Sequence, residues 1–241
     1  MSMIDREKEM TTQKHQTAYL SRIRFARTGS LAYVGHLDMM RAFERAIRRT
    51  ELPLLHSQGY NPRPMLVFAL PIGVGIHTTD DYVDIAMSRP VEPQEVMEQL
   101  SSKLPPDLSV ISVASLPESV GSIMAAVSAA SYELEAPGIA AAAIRLLVHK
   151  EIVIEKPSKG KMRTLDIRPL IHEVNSPDST DPDRVEILVR AGSKENLRPD
   201  LFLSALVTCE NYSLLASKNA KITRTGLFSG IYPDIRRFSE E

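Results

Sequence analysis

Between Ala18 and Leu116 the hydrophobic period of this chain switches repeatedly between two residues and three to four, and the order of those switches limits the fold more than any single motif. YLSRIRF sets Tyr19, Ser21, Ile23 and Phe25 against Leu20, Arg22 and Arg24, which predicts a strand from Ala18 to Phe25. His36 to Thr50 predicts a helix, with Leu37, Met40, Phe43 and Ile47 on one face and Arg41, Arg45 and Arg48 or Arg49 opposite. MLVFALP and then DDYVDIAM at 80–87 predict two strands, Glu92–Leu104 predicts a second helix with Pro93 at its start, and LSVISVASL at 108–116 predicts a closing strand. Strand, helix, strand, strand, helix, strand is the βαββαβ unit of the ferredoxin-like fold.

The order recurs. SYELEA, PGIAAAAIRLLVHK and EIVIEK predict a strand, a helix and a strand. MRTLDIRPLIHEV and RVEILVRA add strands around a polar, Pro-containing loop at 175–183, LRPDLFLSALV adds a helix and NAKITRTGLF a last strand. The expected class is therefore α+β, with two tandem ferredoxin-like halves at 16–118 and 128–241, a junction near 117–130 and a mobile tail at 1–15. A chain of 241 residues, 43% of them apolar, is long enough to build two such cores.

A single cysteine, Cys209, excludes an internal disulfide and cannot supply a Cys-rich zinc site or an iron–sulfur cluster. No run of eighteen apolar residues exists, and the polar N-terminus MSMIDREKEMTTQKHQ lacks the apolar stretch of a signal peptide, so a cytoplasmic protein with no membrane partner is expected. The near-zero net charge hides segregation. From Arg22 to Arg63 eight arginines face three carboxylates, a net of +5. From Asp80 to Asp107 seven carboxylates face two cations, a net of −5, and Lys156–Arg168 returns to +4. Basic segments of this kind suit an anionic partner if the fold brings them to a surface.

Two stretches carry the candidate chemistry. In GHLDMMR, Gly35 suits the N-cap of the first helix, and Asp38, at its third position, suits the positive end of the helix dipole. His36, at the first position, is a candidate general acid or base, although no second acid, base or nucleophile stands beside it in sequence. Arg41, Arg45 and Arg49 form a helix face whose plain reading is a solvated surface with Glu44 bridging to Arg48. All its cations are arginine, however, and the guanidinium fork favours phosphate or carboxylate recognition. In SQGYNPRP, Gly59 permits a positive φ while Pro62 and Pro64 stiffen the turn, holding Tyr60, Asn61 and Arg63 in set positions. There Tyr60 is a candidate to stack on a base and Arg63 to hold a phosphate or carboxylate. Lys161, Arg163 and Arg168, on a basic hairpin, and Arg224, near the last strand, are candidates to extend a basic groove. PIGVGIH lacks the spacing and following helix of a dinucleotide site, and no HExxH, GxSxG or Walker sequence occurs.

The run from Arg22 to Ile76, RIRFARTGSLAYVGHLDMMRAFERAIRRTELPLLHSQGYNPRPMLVFALPIGVGI, resembles the start of the bacterial radical-SAM-linked protein family. That family's pattern joins R-F-x-K-x-G to S-H-L-D-x-x-R, an arginine-rich helix, G-F-N-P-x-P and A-L-P-L-x-x-G. Matching positions are His36, Leu37, Asp38, Arg41, Gly59, Asn61, Pro62 and Pro64, whereas Gly35, Tyr60 and Arg27 replace the pattern's serine, phenylalanine and lysine. The resemblance implies a radical-SAM partner, often one with a cobalamin-binding domain, that carries the iron–sulfur cluster and S-adenosylmethionine while this chain carries no cofactor. The expected role is that of a non-catalytic accessory protein presenting an RNA or a ribosome-associated protein to that partner. The rival expectation is a metal-independent endoribonuclease using His36, by analogy of layout with the CRISPR repeat-processing endoribonucleases.

Overall fold

The computed structural model describes residues 19–117, 120–158, 161–178 and 180–238. The expected tail at 1–15 lies outside the described residues. The chain forms a mixed α/β structure whose strands are β1 (Tyr19–Arg27), β2 (Leu66–Phe68), β3 (Ile76–Met87), β4 (Leu108–Leu116), β5 (Val127–Glu135), β6 (Val153–Ser158), β7 (Lys161–Asp166), β8 (Ile171–Asn175), β9 (Arg184–Arg190), β10 (Lys221–Ile231) and β11 (Asp234–Arg237). Six α-helices accompany them among the described residues: α1 (His36–Ile47), α2 (Pro93–Ser101), α3 (Ile123–Ala126), α4 (Ile139–Leu146), α5 (Pro199–Glu210) and α6 (Leu214–Lys218). Nine strands join one mostly antiparallel sheet, in the order β4-β1-β3-β10-β5-β9-β8, with β2 also paired to β3 and β11 to β10. β6 and β7 form a separate ribbon.

Two apolar cores flank this sheet. Ile23 and Phe25 of β1, Val83, Ile85 and Met87 of β3, and Met39, Phe43, Ala46 and Ile47 of α1 fill one, with Phe25, Phe43 and Phe68 meeting edge to face. The other joins β5, β9, α4 and α5 through residues such as Leu134, Ile139, Leu146, Ile187 and Phe202. The buried stripe of α1 differs from the expected one. Leu37 is 68% exposed because it sits roughly 120° around the helix from Phe43, and Met39 takes the inward position instead. β3 starts at Ile76 rather than Asp80, and β5 at Val127 rather than Ser131. Neither hidden start alternates apolar with polar residues: VSAA is buried or half-buried throughout, and in IHTT the polar Thr78 is buried while Thr79 is exposed.

Where the two cores meet, β3 and β10 run parallel over three residue pairs, Ile222 with Ile76, Thr223 with His77 and Arg224 with Thr78. Charged side chains are buried at this seam. Arg224 donates to the Asp81 carboxylate and, at 3.1 Å, to the Leu70 carbonyl, and both Asp81 and Arg224 are 1% exposed. Arg27, wholly buried, donates to the carbonyls of Val34, Gly73 and Ile76, so one guanidinium ties the entry to α1 to the loop before β3. On the opposite face Arg22 grips its cross-strand partner Asp84 with two bonds of 2.8 and 3.0 Å. Asp80 accepts from Arg24, Arg237 and the Tyr82 hydroxyl.

Removing one partner of a buried ion pair leaves an uncompensated charge in a medium of low dielectric, at a cost of about 3–5 kcal/mol. Asp81→Leu is therefore expected to lose stability on that scale in urea unfolding, and Asp81→Leu combined with Arg224→Leu to lose less than the single change. A double variant as unstable as the sum of the singles would show that the pair is not the organising contact.

Candidate functional site

The solvent face of α1 and its surroundings contain most of the candidate residues. With its apolar stripe turned inward, α1 leaves Arg41, Arg45, Arg48 and Arg49 exposed. Its C-terminal turn lies beside the C-terminal turn of α2, and the two leave an open groove of about 630 Å³. Ala42, Arg45, Arg48 and Arg49 line it from α1, and Ser102, Lys103, Leu104 and Pro105 from the other side. Arg49 reaches across it to the Lys103 carbonyl. Among the described residues no carboxylate lines the groove, and none lies within 4.0 Å of the charged atoms of Arg45, Arg48, Arg49 or Lys103.

Cations at helix C-termini have an ordinary explanation in the dipole, each helix end amounting to roughly half a negative charge. Two such ends offset about one of the groove's four formal charges. An excess of about three positive charges remains, more than the helix ends require.

On the other flank of α1 the SQGYNPRP turn forms as its prolines and glycine dictate. Gly59 has φ +129°, Ser57 donates its backbone N–H to the Arg63 carbonyl at 2.8 Å, and Arg63 returns its own N–H to the Ser57 hydroxyl at 3.1 Å. Tyr60 at the tip is fully exposed, with Asn61 exposed beside it. The Arg63 guanidinium lies 4.0 Å from Glu44, which ties the turn to α1. Glu44 thus faces Arg63, where the sequence suggested Arg48. Asp38 is not a capping side chain: it pairs with Arg41 at 2.9 Å, both well exposed, and Gly35 makes no side-chain cap.

His36 begins α1 at the far end from the groove. Its ring meets Phe68 edge on, and its Nδ1 is buried without a hydrogen-bond partner. Burial lowers its pKa below the ordinary 6.5; the nearby Asp81 opposes the shift and Arg224 and Arg27 add to it. Around it, the Arg27 pKa is lowered to about 10, by burial first and by Arg224 second. Burial would also lower Arg224, but the charge and hydrogen bond of Asp81, with those of Tyr132, hold it above its usual value. Both guanidinium groups stay charged at neutral pH.

The other expected contact residues are dispersed. Arg224 is buried in the seam ion pair, away from the α1 groove. Arg163 is exposed on β7, and Arg168 begins the short turn of Arg168–Leu170 before β8. Lys161 starts β7, and its side chain lies outside the described residues. None of these lines the α1 groove. Conversely, Lys103 was missed as a groove residue although a lysine just past a helix end is a visible signal, Asp81 was missed because nothing local announces a partner 143 residues away, and Arg27 because its partners are backbone carbonyls 7, 46 and 49 residues on. A smaller cavity of about 330 Å³ lies between the 71–76 loop and the start of α5, above Tyr132 and Arg224; on its rim Arg198 pairs with Asp200. Among the described residues no group of three metal-capable side chains occurs, and no helix is long and apolar enough to cross a membrane.

The structure thus defines a mixed α/β protein whose first helix carries an unneutralised arginine groove. Residues 21–199, from β1 to the first residue of α5, match the family of uncharacterized proteins conserved in bacteria (DUF2344), and the chain belongs to that family. No curated protein matches it.

The depressed His36 pKa makes a stability prediction. Between the folded value and about 6.5 the unfolded chain binds the extra proton, so stability rises with pH across that window, and the deficit is complete below it. Urea midpoints at pH 5 and pH 8 are expected to differ less for His36→Gln than for the wild type. Equal differences would show that His36 titrates normally in the folded state.

Proposed function

We propose that this protein is a non-catalytic accessory protein that binds an anionic substrate, an RNA or a ribosome-associated protein, and positions it for a radical-SAM partner. The observation that carries the reading is the groove of Arg45, Arg48, Arg49 and Lys103 without a carboxylate. Four cations held close together repel one another, and an anionic ligand relieves that repulsion. Guanidinium groups also match phosphate and carboxylate oxygens two at a time. The radical-SAM partner rests on the resemblance of the HLDMMR and GYNPRP stretches, and a chain with one cysteine leaves the iron–sulfur cluster, with S-adenosylmethionine, to that partner. The ferredoxin-like reading of the halves draws support from the strand neighbours. β2 adds to one side of β4-β1-β3, and β10-β5-β9-β8 repeats that arrangement, with the β6–β7 ribbon as an insertion.

One observation favours the endoribonuclease reading: an imidazole kept neutral near physiological pH is suited to act as a general base. Against it, His36 and Arg48 are separated by twelve residues of helix, about 18 Å along the axis. Labelled RNA incubated with EDTA distinguishes the readings. The accessory role expects no cleavage, whereas cleavage that survives EDTA and disappears in His36→Ala would replace it.

For the accessory role itself, a tagged chain is expected to recover a radical-SAM protein from its native cells. Combined replacement of Arg41, Arg45, Arg48 and Arg49 by alanine is expected to reduce recovery of substrate at least tenfold with the fold retained. Unchanged recovery of both RNA and the radical-SAM protein by that variant would reject the role assigned to this helix face.

A further inference from the structure

We infer that the anion taken by the α1 groove is the backbone of a single-stranded polynucleotide, which crosses α1 so that one of its bases stacks on Tyr60. This rests on the accessory reading and names its substrate. The groove alone suits many anions. What narrows the choice is its relation to the turn on the other flank of the helix.

At 100° per residue, Arg45, the C-cap Arg48 and Glu44 fall in that order around α1 within about 100°, and Arg49 lies in the turn just past the helix end, on the groove side. The band runs from the α2 side to the side where Glu44 meets Arg63. The guanidinium groups of Arg49, Arg45 and Arg48 thus line the groove side of a cylinder about 10–12 Å across, and the step from Arg48 to the SQGYNPRP turn passes the Glu44 carboxylate, which Arg63 faces at 4.0 Å. Beyond that step stands Tyr60, its ring fully exposed on a loop stiffened by Pro62 and Pro64. The Tyr60 side chain makes no hydrogen bond or ring contact among the described residues. A rigid, uncovered aromatic ring beside a cationic track is the pairing that single strands use, phosphates on the cations and a base on the ring.

Other anions fit less well. A protein partner draws most of its affinity from large side chains seated in closed, desolvated pockets, and this groove is open, its floor formed by Ala42, Leu104 and Pro105. A duplex keeps its bases stacked inside and has no face to give Tyr60. RNA and DNA single strands share the recognised chemistry, so both belong in the test.

The test is fluorescence anisotropy with labelled octauridine and octathymidine across a salt series, with an octanucleotide RNA duplex and a polyglutamate peptide as competitors. Each phosphate contact on a single strand contributes roughly −0.7 to the slope of log affinity against log salt, so three or four contacts give a slope of roughly −2 to −3. Arg45→Ala with Arg48→Ala and Arg49→Ala is expected to flatten that slope by about two. Tyr60→Ala is expected to weaken binding about tenfold and leave the slope unchanged, because it removes stacking and no charge. Tighter binding of one octamer would identify the source of the strand. Equal competition by the duplex, displacement by polyglutamate at equal charge, or wild-type affinity in Tyr60→Ala would overturn the inference while leaving anion binding by the groove intact. Absence of binding to every probe would overturn both.

Discussion

The ion pair between Asp81 and Arg224 joins the two ends of this molecule. Two apolar cores form on either side of it, and the strands that connect them, β3 and β10, share only three residue pairs. A parallel ladder that short does little to fix its own register, and a slip of one residue would turn every side chain to the other face. The carboxylate of Asp81 under the guanidinium of Arg224, with the Thr78 hydroxyl donating to the Arg224 carbonyl, allows one alignment and penalises its neighbours. Such a pair adds little net stability compared with apolar residues of the same volume, since desolvation offsets the attraction. Its contribution here is to register.

Arg27 extends the same constraint to the helix that bears the candidate site. By holding the carbonyls of Val34, Gly73 and Ile76, it clamps the chain just before α1 against the chain just before β3. The rest of α1 is then set by the apolar stripe of Met39, Phe43, Ala46 and Ile47 on β1 and β3. What remains outside is the arginine face. The segregated charges in the sequence resolve in a similar way. Of the eight arginines between Arg22 and Arg63, Arg22 and Arg24 find Asp84 and Asp80, Arg27 finds carbonyls, Arg41 finds Asp38 and Arg63 lies near Glu44. Arg45, Arg48 and Arg49 are left without a carboxylate among the described residues. The acidic run around Asp80 is therefore chiefly the interior counterpart of the basic strand β1, rather than a docking surface of its own.

This also explains which parts of the molecule were legible in the sequence. Elements with one face in a core and one in solvent, such as α2 and β9, declared themselves through period three to four or period two. The phase of α1 misled because Leu37 imitates the start of a stripe that Met39 and Ala46 share with Phe43 and Ile47, while Met40 packs at its edge. The start of β3 was hidden because His77, Thr78 and Thr79 are polar, and Thr78 is buried with its hydroxyl donating to the carbonyl of Arg224, far away in the chain. Local patterning carries no information about such partners. The candidate arginines and Tyr60 could be named from residue type and spacing, whereas Arg224, named alongside them, belongs to the seam.

On the proposed reading, the division between inner and outer arginines also separates two tasks that one charge pattern would otherwise confuse. Buried guanidinium groups bonded to carboxylates and carbonyls are fixed in place by those bonds. The outer ones sit at the end of a helix whose opposite face is fully packed, so binding there need not disturb the sheet. A ligand that crosses from the groove to Tyr60 would meet a preformed surface, with ordering costs confined to arginine side chains and to the strand itself. An accessory protein gains from that arrangement, because a substrate held on a rigid helix is presented to a partner in one orientation.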